Sequence, residues 1–63
     1  MCMITLYRGS VVEENKLAEN ISRYSFDLTR GKLTVYPMLK EAQEYDINKG
    51  LSWDESNDSM IIE

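Results

Sequence analysis

At 63 residues the chain has room for one small domain, residues 1–63, and no second. Eleven Asp and Glu against seven Lys and Arg give a formal charge of −4 and a pI near 4.7, so the domain as a whole repels a phosphate backbone and direct nucleic-acid binding is not expected. There is no histidine, which excludes a triad built on imidazole and leaves proton transfer to carboxylates, tyrosines or lysines.

A domain this small buries only about 60% of the surface its unfolded chain exposes, so it is expected to need a further source of stability. A disulfide within the chain is excluded, since Cys2 is the single cysteine. One thiolate without imidazole is a poor start for a metal site, and neither a metal nor another cofactor is expected. Association, with a second copy or with another protein, is the remaining supplement. The apolar residues come in short pieces, none long enough for a membrane span. Met1 to Arg8 lacks the pattern of a signal peptide, and a lone cysteine fits a reducing compartment, so a cytoplasmic location is expected.

The elements read in chain order begin with Cys2, Ile4 and Leu6 alternating with Met3, Thr5 and Tyr7, the pattern of a strand over about residues 2 to 8. Gly9 breaks it. Ser10-Val11-Val12-Glu13 fits a capping box, and Val11, Leu17, Ala18, Ile21 and Tyr24 share one side of a helical wheel, which predicts a helix from Val11. A competing reading makes residues 20 to 28 one long strand of a meander. Tyr24 to Pro37 reads as a hairpin. A two-residue loop at Arg30 and Gly31 sets Leu28 opposite Leu33, Phe26 opposite Val35 and Tyr24 opposite Pro37 on an apolar side, with Asp27, Thr34 and Tyr36 facing the other way.

Pro37 can open a second helix, on which Met38, Leu39, Ala42 and Tyr45 form a narrow apolar arc and which Gly50 closes. Leu51 to Asn57 reads as a polar loop carrying Trp53, and Ser59 to Ile62 as a final strand. The order strand, helix, strand, strand, helix, strand predicts an α+β fold of the ferredoxin-like kind: a small antiparallel sheet with two helices on one face. The alternative is a β-meander with a single helix after Pro37. In the first arrangement the second sheet face, with Tyr7 and Tyr36, has nothing to cover it.

No catalytic constellation emerges. Asp54, Ser56 and Asp58 have the alternate spacing that opens a calcium loop, but Ser59 stands where that loop needs glycine. An exposed acidic loop is the expectation there. Trp53 is the leading candidate for a functional side chain, either folded back as a lid on the core or held out as an interface anchor. Tyr7 and Tyr36 are candidates on the bare sheet face. Acidic residues gather at Glu13, Glu14 and Glu19, at Glu41, Glu44 and Asp46, and at Asp54, Glu55, Asp58 and Glu63. They serve either solubility or a basic surface on a partner.

The composition therefore predicts a small, acidic, non-enzymatic protein-binding module, an inhibitor or accessory factor of the kind phages and mobile elements encode. It would mask a surface of a larger partner, one candidate being a surface that otherwise binds nucleic acid. Its expected partner-binding residues are Trp53, Tyr7, Tyr36, Asp54, Glu55, Glu41 and Glu44. The alternative is a self-associating structural or small-ligand-binding domain, with a homodimer as one form.

Overall fold

The computed structural model describes residues 3–63, so Cys2 lies outside the described residues. It contains six strands: β1 (Ile4–Arg8), β2 (Lys16–Asp27), β3 (Lys32–Pro37), β4 (Gln43–Asp46), β5 (Leu51–Asp54) and β6 (Ser59–Ile62). Two single turns of 3-10 helix, Glu13–Asn15 and Glu55–Asn57, are the sole helical segments among the described residues. The expected α+β architecture is thereby overturned, and so is the alternative with one helix after Pro37. None of the described residues forms a helix long and apolar enough to cross a membrane.

The strands form one mixed sheet in the order β4-β3-β2-β1-β6-β5. All neighbours run antiparallel except β1 and β6, which are parallel from Thr5 opposite Ser59 to Arg8 opposite Ile62. In a flat sheet β4 and β5 would lie five spacings apart, about 24 Å. The chain from Asp46 to Leu51 reaches at most about 18 Å. The sheet must therefore curl until its two edges approach, as in a small barrel.

The curl is made by β2. Its first half pairs with β1 and its second with β3, and the two ladders meet at Ile21, which stands opposite both Ile4 and Pro37. Register shifts interrupt both ladders, and Asn20 just before the junction has φ 55°, a conformation asparagine tolerates better than most residues. A strand that changes partners at such a bulge turns the corner between two nearly orthogonal layers. Here the layers are β2 (first half)-β1-β6-β5 and β2 (second half)-β3-β4.

The bulges also explain the helix expected after Ser10. Each one inserts a residue, so the positions that face inward are Ala18 opposite Leu6, Ile21 opposite Ile4, and Tyr24 opposite Val35. That spacing of three imitates the repeat of a helix in a strand whose undisturbed period is two. In the second helix expected, Met38 and Leu39 instead form an exposed turn after Pro37, Leu39 has φ 64°, and Gln43 to Asp46 pair with β3 as a strand. Gly50 keeps a positive φ, 122°, but leads into β5 rather than capping a helix.

The hairpin of β2 and β3 is present with a different register. Tyr24 faces Val35, Phe26 faces Leu33 and Asp27 faces Lys32, a slip of two residues that leaves Leu28 to Gly31 as the loop. The Asp27 carboxylate accepts the Arg30 backbone N–H across it. An even slip keeps each side chain on its expected face, since strand periodicity is two. It nevertheless removes Leu28 from the sheet, and that side chain is 82% exposed.

The buried core consists of Leu6, Ile21, Leu33, Val35, Met60 and Ile62, with Ile4, Leu17, Ala18, Tyr45 and Ile47 packed around it. Both layers and the corner contribute, so the core lies between the layers and no helix roofs it. Backbone bonds lengthen three of the ladders by a residue: Ile47 N–H to Gly31 C=O (2.9 Å) beyond β3–β4, Gly9 N–H to Ile62 C=O (2.8 Å) beyond β1–β6, and Glu63 N–H to Gly50 C=O (3.2 Å) beyond β5–β6.

Candidate functional site

Trp53 sits in a strand, not in the polar loop expected for it. It lies opposite Met60 on β5, as Leu51 lies opposite Ile62. Both therefore point to the core side of the sheet. Among the described residues β5 has no ladder on its other flank, which leaves Trp53 49% and Leu51 40% exposed. The indole is thus a lid in part and a surface group in part, and its backbone is fixed by pairing.

The chain after Trp53 is ordered by its own polar groups. Asp54 Oδ2 accepts from Asn57 Nδ2 at 2.9 Å, and the buried Ser59 hydroxyl donates to the Asn57 carbonyl at 2.8 Å. Asp58 adopts φ 47° to turn into β6. The turn thereby places Asp54, Glu55 and Asp58 within five residues of Trp53 in the chain, Asp54 on the face of β5 opposite to the indole. From Gly50 to Glu63 the sequence has four carboxylates and no Lys or Arg, so no cation within the segment offsets them. The calcium-loop spacing comes to nothing more: among the described residues no three His, Cys, Asp or Glu side chains are grouped to hold a metal.

Two further aromatic residues reach this end of the barrel. The second half of β2 departs from β1 at the Ile4–Ile21 pair, the end at which β6 begins opposite Thr5 and β5 finishes opposite Ser59. It carries Tyr24 and Phe26 on its core side, each 42% exposed, with their rings edge to face at 5.5 Å. The hydrophobic alternation of this stretch pointed to core residues. Among the described residues the β1 ladder ends at Ile21, so no strand flanks this side of Tyr24 and Phe26, which no local pattern announces.

The remaining expected residues lie elsewhere. Tyr7 is on the outer face of β1 opposite Lys16, and Tyr36 on the outer face of β3 opposite Arg23, whose guanidinium covers the ring at 4.2 Å. Lys16 and Arg23 lie on either side of the β2 corner at Ile21, so Tyr7 and Tyr36 belong to different layers of the sheet. Glu41 is in the exposed turn before β4, and Glu44 faces outward from β4 with its carboxylate 3.7 Å from Arg30. Of the expected set, Trp53, Asp54 and Glu55 stand together.

Charge on the rest of the surface is largely answered within the molecule. Lys16 bridges Glu13 (2.8 Å) and Glu19 (3.0 Å), Arg30 reaches Asp27 and Glu44, and Lys32 pairs with Asp46. The hydrogen bonds that Lys16 donates to Glu13 and Glu19 raise its pKa above the ordinary lysine range, and the one Glu19 accepts holds that carboxyl below its usual value. Asp46 is lowered by the hydrogen bond it accepts from Lys32, with a smaller contribution from Arg8.

A cleft of about 240 Å³ at the opposite end is lined by Arg8, Asp46, Asn48, Lys49 and Glu63. Arg8 Nη1 is already committed to the Glu63 carbonyl at 2.9 Å. Two cations and two carboxylates leave the cleft without a net preference for a charged ligand. The aromatic, acidic end is the stronger candidate. No family model matches this chain, and neither a curated protein nor a solved structure does.

Proposed function

We propose that this protein is a non-enzymatic protein-binding module that engages a larger partner through the barrel end bearing Trp53, Tyr24 and Phe26. One observation carries the reading: Trp53 is held by the β5–β6 ladder yet keeps 49% of its surface in water. Burying a fixed aromatic ring against a partner loses little side-chain entropy, which is why such residues dominate interface energetics. Asp54, Glu55 and Asp58, which follow it in the chain with no Lys or Arg among them, make this end acidic. The matching partner surface is apolar at its centre and rich in Lys and Arg around it, the type found on proteins that bind nucleic acid. Occupying such a surface makes the module an inhibitor or accessory factor.

The test compares capture from a cell lysate by the natural protein and by Trp53→Ala. A partner retained by the first and lost by the second supports the reading. Because Trp53 is the single tryptophan, titration with that purified partner is expected to shift its emission to shorter wavelength. Equal retention by both proteins overturns it.

A further inference from the structure

We infer that two copies of this chain associate through the free edge of β2, in antiparallel register with Ser25 on the two-fold axis. Among the described residues Arg23 to Asp27 pair with β3 on one side and with nothing on the other, since the β1 ladder ends at Ile21. Natural sheets guard such edges with proline, lysine or very short strands. β4, at the outer side of the same layer, is four residues long and carries Glu44 and Asp46. The β2 edge has neither proline nor lysine, and it exposes Tyr24 and Phe26.

The sequence of this edge is complementary to itself. A two-fold axis normal to the sheet sets outward residues opposite outward ones and inward opposite inward, so the axis must pass through a residue and not between two. The ladder with β3 puts Arg23, Ser25 and Asp27 on the outer side and Tyr24 and Phe26 on the inner side. With the axis at Ser25, Arg23 of each copy faces Asp27 of the other, Tyr24 faces Phe26, and the small Ser25 faces itself. Moving the axis to Tyr24 sets Arg23 against Ser25, and moving it to Phe26 sets Asp27 against Ser25, so both shifts lose the charge pairs. Cross-strand pairs of opposite charge and of aromatic rings are the units that stabilise a ladder. The existing Tyr24–Phe26 contact, doubled across the axis, becomes a strip of four rings. The interface is short, at the small end of stable sizes, so self-association in the micromolar range is expected.

This interface shares Tyr24 and Phe26 with the surface proposed for the partner but does not include Trp53, and its readout is the oligomeric state alone. Sedimentation of the full chain across a concentration range is expected to show a monomer–dimer equilibrium. Arg23→Asp sets aspartates opposite each other and Asp27→Arg sets arginines, so each is expected to weaken association about tenfold or more. An equimolar mixture of these two variants re-forms both charge pairs and is expected to dimerise, as is the protein carrying both changes. Circular dichroism establishes that each variant is folded. In a Cys2→Ser background, Ser25→Cys is expected to cross-link between copies on mild oxidation, whereas Thr34→Cys, one strand further from the axis, is not. A natural protein that stays monomeric at hundreds of micromolar overturns the inference. So does a mixture that dimerises no better than its components, or equal cross-linking at positions 25 and 34.

Discussion

The Asn48 side chain occupies the space in which Gly31 would carry a Cβ, with Oδ1 overlapping that position. Gly31 also has φ 65°, and its carbonyl accepts the Ile47 N–H, so the tip of the β2–β3 hairpin is locked against the link from β4 to β5. Gly31→Ala therefore meets a conformational and a steric obstacle together and is expected to cost about 1–3 kcal/mol. Pairing it with Asn48→Gly removes the overlap but not the φ, so the double variant should lose less than the sum of the single losses. Urea unfolding followed by Trp53 emission measures both.

Ile21 and Leu28 separate the observed fold from the one expected of the sequence. Ile21 is fully buried where both ladders meet, whereas Leu28 is 82% exposed in the hairpin loop. Ile21→Ala is expected to cost about 2–5 kcal/mol, enough to unfold much of a domain this small. Leu28→Ala should stay within about 0.5 kcal/mol of the natural protein. Had the hairpin closed at two residues, Leu28 would be in the core and the two losses similar. Thermal unfolding of both variants distinguishes the cases.

Leu39 combines φ 64° with complete exposure, a position that suits neither its branched side chain nor its hydrophobicity. Leu39→Gly is expected to raise stability by about 0.5–1 kcal/mol by relieving the left-handed strain, partly offset by the greater freedom of glycine when unfolded. A lower urea midpoint for the variant would show that the leucine side chain stabilises the turn.

The exposed ion pairs set the dependence on pH. Asp46 and Glu19 titrate lower in the folded protein than in the unfolded chain because of Lys32 and Lys16. Below about pH 5 the unfolded chain binds protons that the folded one does not, so stability conferred by these pairs is complete above the ordinary carboxylate range and is lost as pH falls through it. Lys16 is raised, which reverses the sign: its contribution is present below the ordinary lysine range and lost as pH rises beyond it. Urea midpoints measured against pH should decline at both extremes. Lys32→Met should flatten the acid limb, and Lys16→Met both limbs. Salt should diminish each effect, since the groups face solvent.

The first and last strands were legible because Ile4 and Leu6 alternate without interruption and Met60-Ile61-Ile62 is short and apolar. The face assignment of Leu33 and Val35 survived for the same reason. β2 was illegible as a strand over its first half because its bulges space Ala18, Ile21 and Tyr24 by three. β4 was hidden because Gln43, Glu44 and Asp46 are residues a helix surface favours, and tertiary pairing with β3 overrides that preference. At the site, Trp53 with Asp54 and Glu55 could be picked out as the odd aromatic in an acidic run. Tyr24 and Phe26 could not, because their exposure depends on where a distant strand stops.

The pairing of β1 with β6 joins segments at nearly opposite ends of the sequence, Thr5 with Ser59 and Arg8 with Ile62. Its closure entropy is lost before any of its contacts form, which gives the fold a high contact order and puts its expected folding time among the slower β topologies, milliseconds to seconds. During synthesis the first strand waits with one flank unpaired until Ser59 to Ile62 have been made. A nascent chain stalled before Ser59 therefore leaves the β6 flank of Thr5 to Arg8 open to whatever chaperone or aggregate is nearby.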